Sequence, residues 1–345
     1  MAAGGGGRRA AADGGRRRAA GGGGRRRAAA AVFGGWRGWG AVFVQNGRMR
    51  FGVLGTGHWA ATTQAVALAA HPEASLVGVW GRSPAKTAAV AESFGITAFD
   101  DVDKLLDAVD AVAIALPPQI QADLAARAAR AGKHLLLDKP LALTVESASA
   151  VVDAVTDNGV ASVVFFTNRF IPAVAEFLRD NEALGGWYAA HATMYASIFQ
   201  PGNPYAGSTW RREHGGLWDL GPHALSVVLP LLGPVVDLSA ADGPHDTVHL
   251  LLRHDSGAAS TLSLTLDAAP DATTFGFSYY GEHGALTLPA WGADTPVTAF
   301  GHAVTALIAA AGGVPHPCDV RYAASITGIL SAADQARRTQ TIVTV

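Results

Sequence analysis

A lysine, an aspartate and a histidine are the first candidates for catalysis in this sequence of 345 residues. Asp219 and His223 are four positions apart, so a helix would place them on one face. An acid beside a histidine fixes the tautomer of the ring and raises its basicity, which suits proton transfer from an alcohol. The alternative is that Asp219 caps a helix and His223 is a hydrogen-bonded core residue. Pro222 fits only near the start of a helix, so we expect a short helix there.

The lysine is Lys139, in the run Asp138-Lys139-Pro140 that follows the apolar segment 134–137. If that segment is a parallel strand, the run stands at its carboxyl end, where open parallel sheets bind their ligands. Pro140 stiffens the turn after the lysine. These features favour an ammonium group that faces cofactor and substrate and donates a hydrogen bond to a substrate oxygen. A solvated surface charge is the alternative.

A glycine turn lies upstream of these residues. Gly55, Gly57 and Ala60 match the G-x-G-x-x-G/A spacing of a dinucleotide-binding βαβ unit. The first glycine allows the tight turn, the second lets the backbone approach a pyrophosphate, and the alanine lets the helix pack close to the strand. The helix N-terminus offers unpaired N–H groups to phosphates. The residues expected to contact a dinucleotide are Gly55, Thr56, Gly57, His58, Trp59, Leu116, Pro117 and Lys139.

The end of the second predicted strand bears on the choice of cofactor. In NAD-binding sites, an acid at this place accepts hydrogen bonds from the ribose hydroxyls. Here the place holds Gly81, which is followed by Arg82. An acid would repel a 2′-phosphate, so its absence and the arginine favour NADP over NAD. Ser83 offers a further hydrogen bond to that phosphate. The alternative is that Arg82 is a solvated loop residue.

Strands and helices alternate in the first part of the chain. The predicted strands span 51–54, 75–80, 111–116, 134–137 and 162–166, and the helices span 59–70, 84–94, 121–131 and 144–158. The strands are mostly continuous apolar runs, as burial on both faces requires. This pattern predicts an α/β fold whose N-terminal dinucleotide-binding domain, residues 49–168, is a doubly wound parallel sheet.

The pattern changes after residue 168. The predicted strands span 187–198, 248–253, 259–267, 274–280 and 284–288, and the helices span 172–180, 301–311 and 323–338, with a short one after Gly221. The turn segments 255–257 and 281–284 favour antiparallel pairing. We therefore expect residues 169–345 to form an α+β domain on an open, mainly antiparallel sheet.

Composition excludes several classes of protein. The chain is 49% hydrophobic and 16% charged, which allows a large core over two domains. Its one cysteine, Cys318, permits no disulfide within the chain, and we expect a cytoplasmic location. The sequence has no run of 18 or more uncharged apolar residues, so a membrane span is not expected. The histidines of the sheet region lack paired ligand spacing, so no metal site is expected.

Residues 1–48 differ from the rest of the chain. They hold ten arginines and one acid among Gly/Ala/Arg repeats, which leaves residues 49–345 with a net charge of about −11. A body this acidic is not expected to bind nucleic acid. The segment is expected to be disordered. We interpret it as upstream translation before a start at Met49, with a basic tail or a twin-arginine export signal as alternatives.

Together these motifs resemble the glucose–fructose oxidoreductase, inositol dehydrogenase and rhizopine-catabolism protein (Gfo/Idh/MocA) family, over about residues 49–345. The resemblance rests on the glycine turn 55–60, the run 131–134, Asp138-Lys139-Pro140, Asn168-Arg169-Phe170, and the segment from Gly215-Gly216 through Asp219 to His223. A D-K-P run followed at this distance by G-G-x-x-D-x-G-x-H is far more specific than a glycine turn alone.

The resemblance implies a C-terminal domain that carries substrate contacts and an oligomer interface. It implies that Lys139 contacts the substrate and the nicotinamide ribose, and that Asp219 and His223 line the substrate pocket, with His223 as the proton-transfer group. Weaker candidates for substrate binding are Asn168, Arg169, Trp210 and Arg211. For the last two, packing between the domains is the alternative.

Three positions depart from the family pattern. Asp138 replaces the usual glutamate before the lysine, Gln121 stands where a histidine is frequent, and Ser226 stands where an acid is frequent. None of these changes removes a proposed catalytic group, but they leave the substrate open.

The predicted protein is an NADP- or NAD-dependent oxidoreductase that transfers a hydride between nicotinamide and a polyhydroxylated substrate, a sugar, cyclitol or diol. His223, oriented by Asp219, would move the hydroxyl proton, and Lys139 would polarise that oxygen. A homodimer or homotetramer is expected. The alternatives are a glycosidase that oxidises and re-reduces its sugar with bound NAD, and a cofactor-sensing regulator without turnover.

Overall fold

The computed structural model describes residues 47–345. The interpretations of residues 1–48 stay predictions, because residues 1–46 lie outside the described part of the chain. Between residues 47 and 345, no helix has both the length and the apolar character that crossing a bilayer requires.

A parallel sheet of six strands forms the first half of the structure. Its strands are β1 (Met49–Leu54), β2 (Ala74–Trp80), β3 (Thr97–Phe99), β4 (Ala111–Ile114), β5 (His134–Asp138) and β6 (Ser162–Phe165). They lie in the order β3-β2-β1-β4-β5-β6, and every neighbouring pair is parallel. The strand order reverses between β1 and β4, the place where open α/β sheets bind ligands. Every residue of β4 and β6 is buried, which explains their almost wholly apolar sequences.

Helices connect these strands. They are α1 (Ala65–Ala70), which continues a π-helical turn (Ala60–Gln64), α2 (Pro84–Phe94), α3 (Val102–Ala108), α4 (Pro118–Arg130) and α5 (Val145–Asp157). The prediction of a doubly wound parallel sheet is confirmed. β3 and α3 were not predicted, because β3 has three residues without a buried apolar run and α3 is too short for a clear helical period.

A second sheet of seven strands follows. Its strands are β7 (Trp187–Tyr195), β8 (Val235–Asp242), β9 (Val248–His254), β10 (Ala259–Thr265), β11 (Thr274–Gly281), β12 (Gly284–Thr287) and β13 (Val343–Thr344). The order is β12-β11-β7-β10-β9-β8-β13, and all neighbours are antiparallel except β7 and β10. The prediction of an open, mainly antiparallel sheet is confirmed. β8 was missed because its burial does not alternate with a period of two.

The longest helix near this sheet is α7 (Thr209–Leu232), which is preceded by α6 (Pro172–Leu184). The expectation of a short helix after Gly221 was wrong, because α7 begins upstream of it. Gly215 breaks α7 with a left-handed φ of 62°. Pro222 and Pro230 both lie inside this helix, so the expectation that Pro222 stands near a helix start was wrong, and Asp219 also lies inside the helix and does not cap it.

The last two helices, α8 (Pro296–Ala311) and α9 (Val320–Thr339), return to the first sheet. α8 packs against β5, β6 and α1, and α9 packs against β6 and α5 as well as β8. The N–H of Val164 in β6 donates to the carbonyl of Cys318 at 2.7 Å, and the N–H of Val320 donates to the hydroxyl of Ser162 at 3.3 Å. The predicted division at residue 168 follows the order of the chain, whereas in space α8 packs on the first sheet and α9 lies between elements of both halves.

Candidate functional site

The glycine turn follows β1 and has the backbone geometry that its sequence predicts. Gly55 has a φ of 134°, and a Cβ there would lie 2.5 Å from the carbonyl oxygen of Ala115. Only glycine fits so close an approach. A Cβ on Gly57 meets nothing within 4 Å, so the backbone is open on this side. The N–H of Ala61 bonds to the carbonyl of Gly57, so a helix N-terminus stands at the turn, an arrangement that binds phosphates.

A cavity of about 680 Å³ opens beside this turn, and we call it the glycine-turn cavity. Its wall combines the turn, the ends of β4 and β5, and part of α7. The predicted residues that line it are Gly57, His58, Trp59, Leu116, Pro117, Lys139, Trp210, Arg211, Asp219 and His223. The fold therefore brings together all three predicted catalytic residues and most of the predicted cofactor contacts. Gly55 and Thr56 precede the wall, in the turn itself.

Asp219 holds two partly buried cations at the wall of this cavity. Lys139 Nζ lies 2.7 Å from its Oδ1 and 2.6 Å from its carbonyl oxygen, and Arg211 Nε lies 2.9 Å from its Oδ2. Burial alone would raise the pKa of Asp219, but the charges of Lys139 and Arg211 outweigh it and hold that pKa well below its usual range. The carboxylate therefore stays ionised and fixes both cations.

Arg211 is also held by aromatic rings. Its guanidinium lies 4.7 Å from the ring centre of Tyr205 and 4.6 Å from that of Trp210, within the range of cation–π attraction. Tyr205 belongs to the loop before α7, and its ring meets the ring of His58 edge-on at 5.9 Å. Sequence reasoning missed Tyr205, because a residue in a Pro/Gly-rich loop has no periodic pattern.

His223 lies one helical turn after Asp219 and is half-buried. The expected bond from Asp219 to this ring is not formed, because Lys139 and Arg211 occupy both carboxylate oxygens. Within residues 47–345 the ring nitrogens have no protein partner, while the carbonyl accepts a bond from the Ser226 hydroxyl. Burial, followed by the charge of Lys139, holds the pKa of His223 well below its ordinary value. The ring is therefore neutral near pH 7 and able to accept a proton.

Gln121 holds the Asp138-Lys139-Pro140 run in place. Its side-chain amide donates to the carbonyl oxygens of Asp138 at 2.6 Å and Pro140 at 3.0 Å, and accepts from the N–H of Asp138 at 3.2 Å. The peptide bond between Lys139 and Pro140 is cis. The sequence marked Gln121 only as a departure from the family pattern, since nothing local indicates a partner 17 positions away.

Asp138 is a partly buried acid next to Lys139. Its Oδ1 accepts a bond from the N–H of Lys139 at 3.0 Å. Burial raises the pKa of Asp138 to about 6, although the charge of Lys139 opposes this rise. The fold therefore favours the protonated form of Asp138 more than water does.

Asp246, in the loop between β8 and β9, fixes the break in α7. It accepts bonds from the N–H groups of Gly216 at 2.8 Å, Leu266 at 3.0 Å and Asp267 at 3.1 Å, and from the Thr265 hydroxyl. It thereby ties the start of the helical segment that carries Asp219 to the end of β10. A single acid in a loop carries no sequence pattern, so this residue was not predicted.

Arg82 and Ser83 stand at the end of β2, outside the wall of the glycine-turn cavity. Arg82 is exposed. Ser83 caps α2, and its hydroxyl accepts a bond from the N–H of Lys86 at 3.5 Å. A Cβ on Gly81 would lie 2.6 and 2.8 Å from side-chain atoms of Thr56. Position 81 is therefore too crowded for an acidic side chain unless Thr56 moves.

A second cavity, also about 680 Å³, adjoins the first. We call it the aromatic cavity, because Trp59, Phe275, Phe277 and Trp291 line it. The other lining residues are Thr167, Asn168, Met194, Leu220, His223, Gly276, Ser278, Thr287, Leu288, Pro289, Ala290 and Pro296. Its wall combines strands of the seven-stranded sheet with residues that follow β1 and β6, so no single stretch of sequence indicates it.

The two remaining candidates for substrate binding, Asn168 and Arg169, lie in different surroundings. Asn168 is buried and lines the aromatic cavity, where its Oδ1 accepts a bond from the indole N–H of Trp291 at 2.8 Å. Arg169 lies outside the walls of both cavities. It donates to the carbonyl of Ser226 at 3.0 Å and packs over the ring of Tyr322, so it joins α7 to α9.

The residues around the glycine turn fit a nicotinamide dinucleotide. The required glycine at 55, the open backbone at Gly57 and the helix N-terminus form a cradle for its phosphates. The indole N–H of Trp59, which lines both cavities, is buried and has no protein partner within residues 47–345, so it suits an acceptor on a bound ligand. Fold and site together define an oxidoreductase that uses such a dinucleotide.

Comparison with known proteins identifies the family. Residues 49–166 match the sequence model of an oxidoreductase family with an NAD-binding Rossmann fold, and residues 174–287 match the GFO/IDH/MocA C-terminal domain. The chain belongs to the Gfo/Idh/MocA family of NAD(P)-dependent oxidoreductases. The resemblance inferred from the motifs is confirmed.

Several of the similar proteins are named enzymes. The dTDP-3,4-didehydro-2,6-dideoxy-alpha-D-glucose 3-reductase of Streptomyces violaceoruber is 31% identical over 70% of this chain and 72% of its own length. The inositol 2-dehydrogenase of Rhizobium meliloti (strain 1021) is 28% identical over 69% of this chain and 74% of its own. The crystal structure of a putative myo-inositol dehydrogenase from Sinorhizobium meliloti 1021 has a TM-score of 0.75 at 23% identity, over 86% of this chain and 99% of that one. The structural likeness supports the fold.

Proposed function

We propose that this protein is a dehydrogenase or reductase that acts on a hydroxyl-bearing carbon of a sugar, cyclitol or related polyol. The observation that carries the proposal is the presence of Lys139, Asp219 and His223 in one cavity wall with the glycine turn. By their names, the relatives above act on a dTDP-linked didehydro-dideoxy sugar and on inositol, both of them ring compounds of the sugar and cyclitol class. These names support a sugar or cyclitol as the substrate of this protein.

The proposed chemistry divides between two side chains. A bound nicotinamide dinucleotide supplies the hydride acceptor or donor. His223 takes the proton of the substrate hydroxyl, because its ring is neutral and has no protein partner within residues 47–345. Lys139 has three N–H groups, and Asp219 binds it at two oxygens, which leaves one N–H for the substrate oxygen. Its charge stabilises the negative charge that develops on that oxygen.

We further propose that NADP is preferred over NAD. Arg82 is exposed at the end of β2, and it makes no ion pair with the residues between 47 and 345. Crowding by Thr56 keeps position 81 without an acid that would repel a 2′-phosphate. Arg82→Ala is expected to reduce the NADP/NAD ratio of kcat/KM about tenfold or more, whereas Arg130→Ala, at the exposed end of α4, leaves it unchanged. An unchanged ratio in Arg82→Ala would remove this part of the proposal.

A cofactor-reduction screen tests the main proposal. The full chain is mixed with NAD⁺ or NADP⁺ and a panel of sugars, inositols and diols, and the absorbance of the reduced cofactor is followed. We expect net reduction with at least one polyol, and a loss of about 100-fold or more in His223→Ala. His283→Ala is the matched control, because His283 is exposed in the turn between β11 and β12 and lines neither cavity. Release of a free sugar without net cofactor reduction would instead identify a glycosidase.

The outer face of the seven-stranded sheet supports a homo-oligomer. α7 and α9 pack on the inner face. On β9, Leu250 and Leu252 point inward, so Leu251 points outward, where its side chain is 53% exposed. We expect light scattering to give a mass of two or four chains of 35.4 kDa, and Leu251→Glu to lower it. Val314→Glu, at an exposed loop position away from the sheet, is the control. A wild-type mass of one chain would contradict this expectation.

A further inference from the structure

The aromatic cavity meets the glycine-turn cavity at His223. Five residues line both cavities: Trp59, Thr167, Leu220, His223 and Phe275. A substrate whose reacting hydroxyl lies at His223 therefore has space on two sides. One side contains the cofactor-binding turn, and the other is the aromatic cavity, whose volume of about 680 Å³ is ordinary for a small-molecule pocket.

The two cavities differ in charge. Asp138, Lys139, Arg211 and Asp219 line the glycine-turn cavity. Among the described residues that line the aromatic cavity, none carries a charge near pH 7, since His223 is neutral. A phosphate buried there would have no counter-charge, which is costly. An uncharged apolar group would instead be transferred from water to contact with aromatic and aliphatic side chains, which is favourable.

Two indole N–H groups are among the polar groups of the aromatic cavity. The indole N–H of Trp291 bonds to Oδ1 of Asn168 at 2.8 Å, which fixes the orientation of that ring. The indole N–H of Trp59 is buried without a protein partner in the described part of the chain, and Trp59 belongs to the shared wall. An oxygen that links a polyol to an apolar substituent would be an acceptor for this donor.

We propose that the aromatic cavity is a second substrate subsite, which binds an uncharged aromatic or alicyclic substituent of the polyol. This inference rests on the proposed function and narrows its substrate class to glycosides or ethers of polyols with an apolar group. The polyol ring lies at Lys139 and His223, and the apolar group packs between Phe275, Phe277 and Trp291. Phosphorylated and nucleotide-linked sugars are disfavoured in this subsite.

Matched glycosides test the proposal. The methyl and phenyl glycosides and the phosphate ester of one sugar are compared, namely the sugar most active in the cofactor screen, or glucose if none is active. For each, kcat/KM is measured by cofactor reduction, and the dissociation constant is measured by quenching of tryptophan fluorescence, because Trp59 and Trp291 line the subsite. We expect the phenyl glycoside to exceed the methyl glycoside about tenfold or more in both quantities.

Two alanine positions provide a matched pair of variants. Ala290 lines the aromatic cavity from an exposed loop, so Ala290→Trp should fill it without disturbing a buried core. Its phenyl-to-methyl ratio is expected to fall to about one. Ala285 is equally exposed on β12 and lines neither cavity, so Ala285→Trp is expected to keep the wild-type ratio.

The outcomes separate this inference from the proposed function. Turnover of polyols with a phenyl-to-methyl ratio near one, a preference for the phosphate ester, or an unchanged ratio in Ala290→Trp would overturn the subsite and leave the dehydrogenase intact. Tight phenyl-glycoside binding that Ala290→Trp abolishes, without turnover of any polyol, would support the subsite and refute the dehydrogenase. Weak binding of every glycoside would overturn the subsite.

Discussion

The ammonium group of Lys139 lies 2.7 Å from a carboxylate oxygen of Asp219, although the two residues are 80 positions apart. Lys139 follows β5 of the parallel sheet, whereas Asp219 lies on α7, which packs on the seven-stranded sheet. The ion pair therefore joins the two halves of the structure at the cavity wall. Together with Arg211, which binds the other oxygen, Lys139 occupies the carboxylate, so Asp219 makes no bond to the His223 ring.

Asp219→Asn should disrupt both activity and stability. The substitution keeps the shape of the side chain but leaves Lys139 and Arg211 as partly buried cations without this counter-charge. We expect kcat to fall about 100-fold, and the free energy of unfolding to fall by roughly 3–5 kcal/mol. Steady-state kinetics and urea unfolding measure these changes.

The matched control is Asp237→Asn, which removes the acid of a surface pair with Arg253. Such exposed pairs contribute little, so activity and unfolding should stay close to wild type. Wild-type kcat in Asp219→Asn would show that the buried pair has no part in the reaction.

The pH dependence of alcohol oxidation should report the lowered pKa of His223. A general base must be deprotonated, so kcat/KM is expected to stay level below neutral pH and to fall only below the ordinary histidine value of about 6.5. Burial and the charge of Lys139 lower the pKa of His223, so the acid limb of the profile moves to lower pH. The measurement is a pH profile of kcat/KM, repeated in Asp138→Asn to exclude titration of that acid. An acid limb at or above 6.5 in both proteins would contradict the assignment.

Asp138→Asn should stabilise the protein at neutral pH. The folded-state pKa of Asp138, about 6, lies above the ordinary value of 3.8, so the fold favours the protonated form. Wild type therefore loses stability as pH rises through 6, and asparagine avoids this loss. We expect a gain on the order of 1–3 kcal/mol above pH 6 that disappears toward pH 4. Urea unfolding across this range tests it, with Asp123→Asn, an exposed position on α4, as the control that shows no such pH dependence.

Gln121→Ala should loosen the loop that carries Lys139. Two carbonyl oxygens lose their donors, at a cost of roughly 1–3 kcal/mol in the free energy of unfolding. We also expect kcat/KM to fall about tenfold, because the lysine loses its fixed position. Gln121→Glu, which keeps the size but loses the donor, should behave like the alanine variant.

Gln119→Ala is the control for this position, since Gln119 lies on the same helix but is exposed. It should match wild type in both kinetics and unfolding. If Gln121→Ala also matched wild type, the positioning role of Gln121 would be wrong.

Features that depend on neighbouring residues were predictable from the sequence. The strands of the parallel sheet are short apolar runs, and the turn at Gly55 is defined by its own glycines, so each can be recognised locally. The placement of Asp219 and His223 on one helix also follows from their spacing.

Features that depend on tertiary packing were not predictable. Asp219 binds Lys139, which follows a strand of the other sheet, and Arg211, which lies eight positions away on α7, and makes no bond to His223. The partners of Gln121 lie on a different element, and Asp246 acts from a loop. The aromatic cavity exists only once both sheets and the loop around Trp291 are in place.

The packing of α8 and α9 on the first sheet has a consequence for biosynthesis. β5 and β6 leave the ribosome long before residues 296–339, which cover them. Growing chains fold from the N-terminus, so the parallel sheet exists for a time with the apolar side chains of β6 uncovered. A nascent chain thus exposes an apolar surface while the second sheet is being synthesised. Chaperones bind exposed apolar surfaces of this kind. Both domains reach their final form together, at the end of translation.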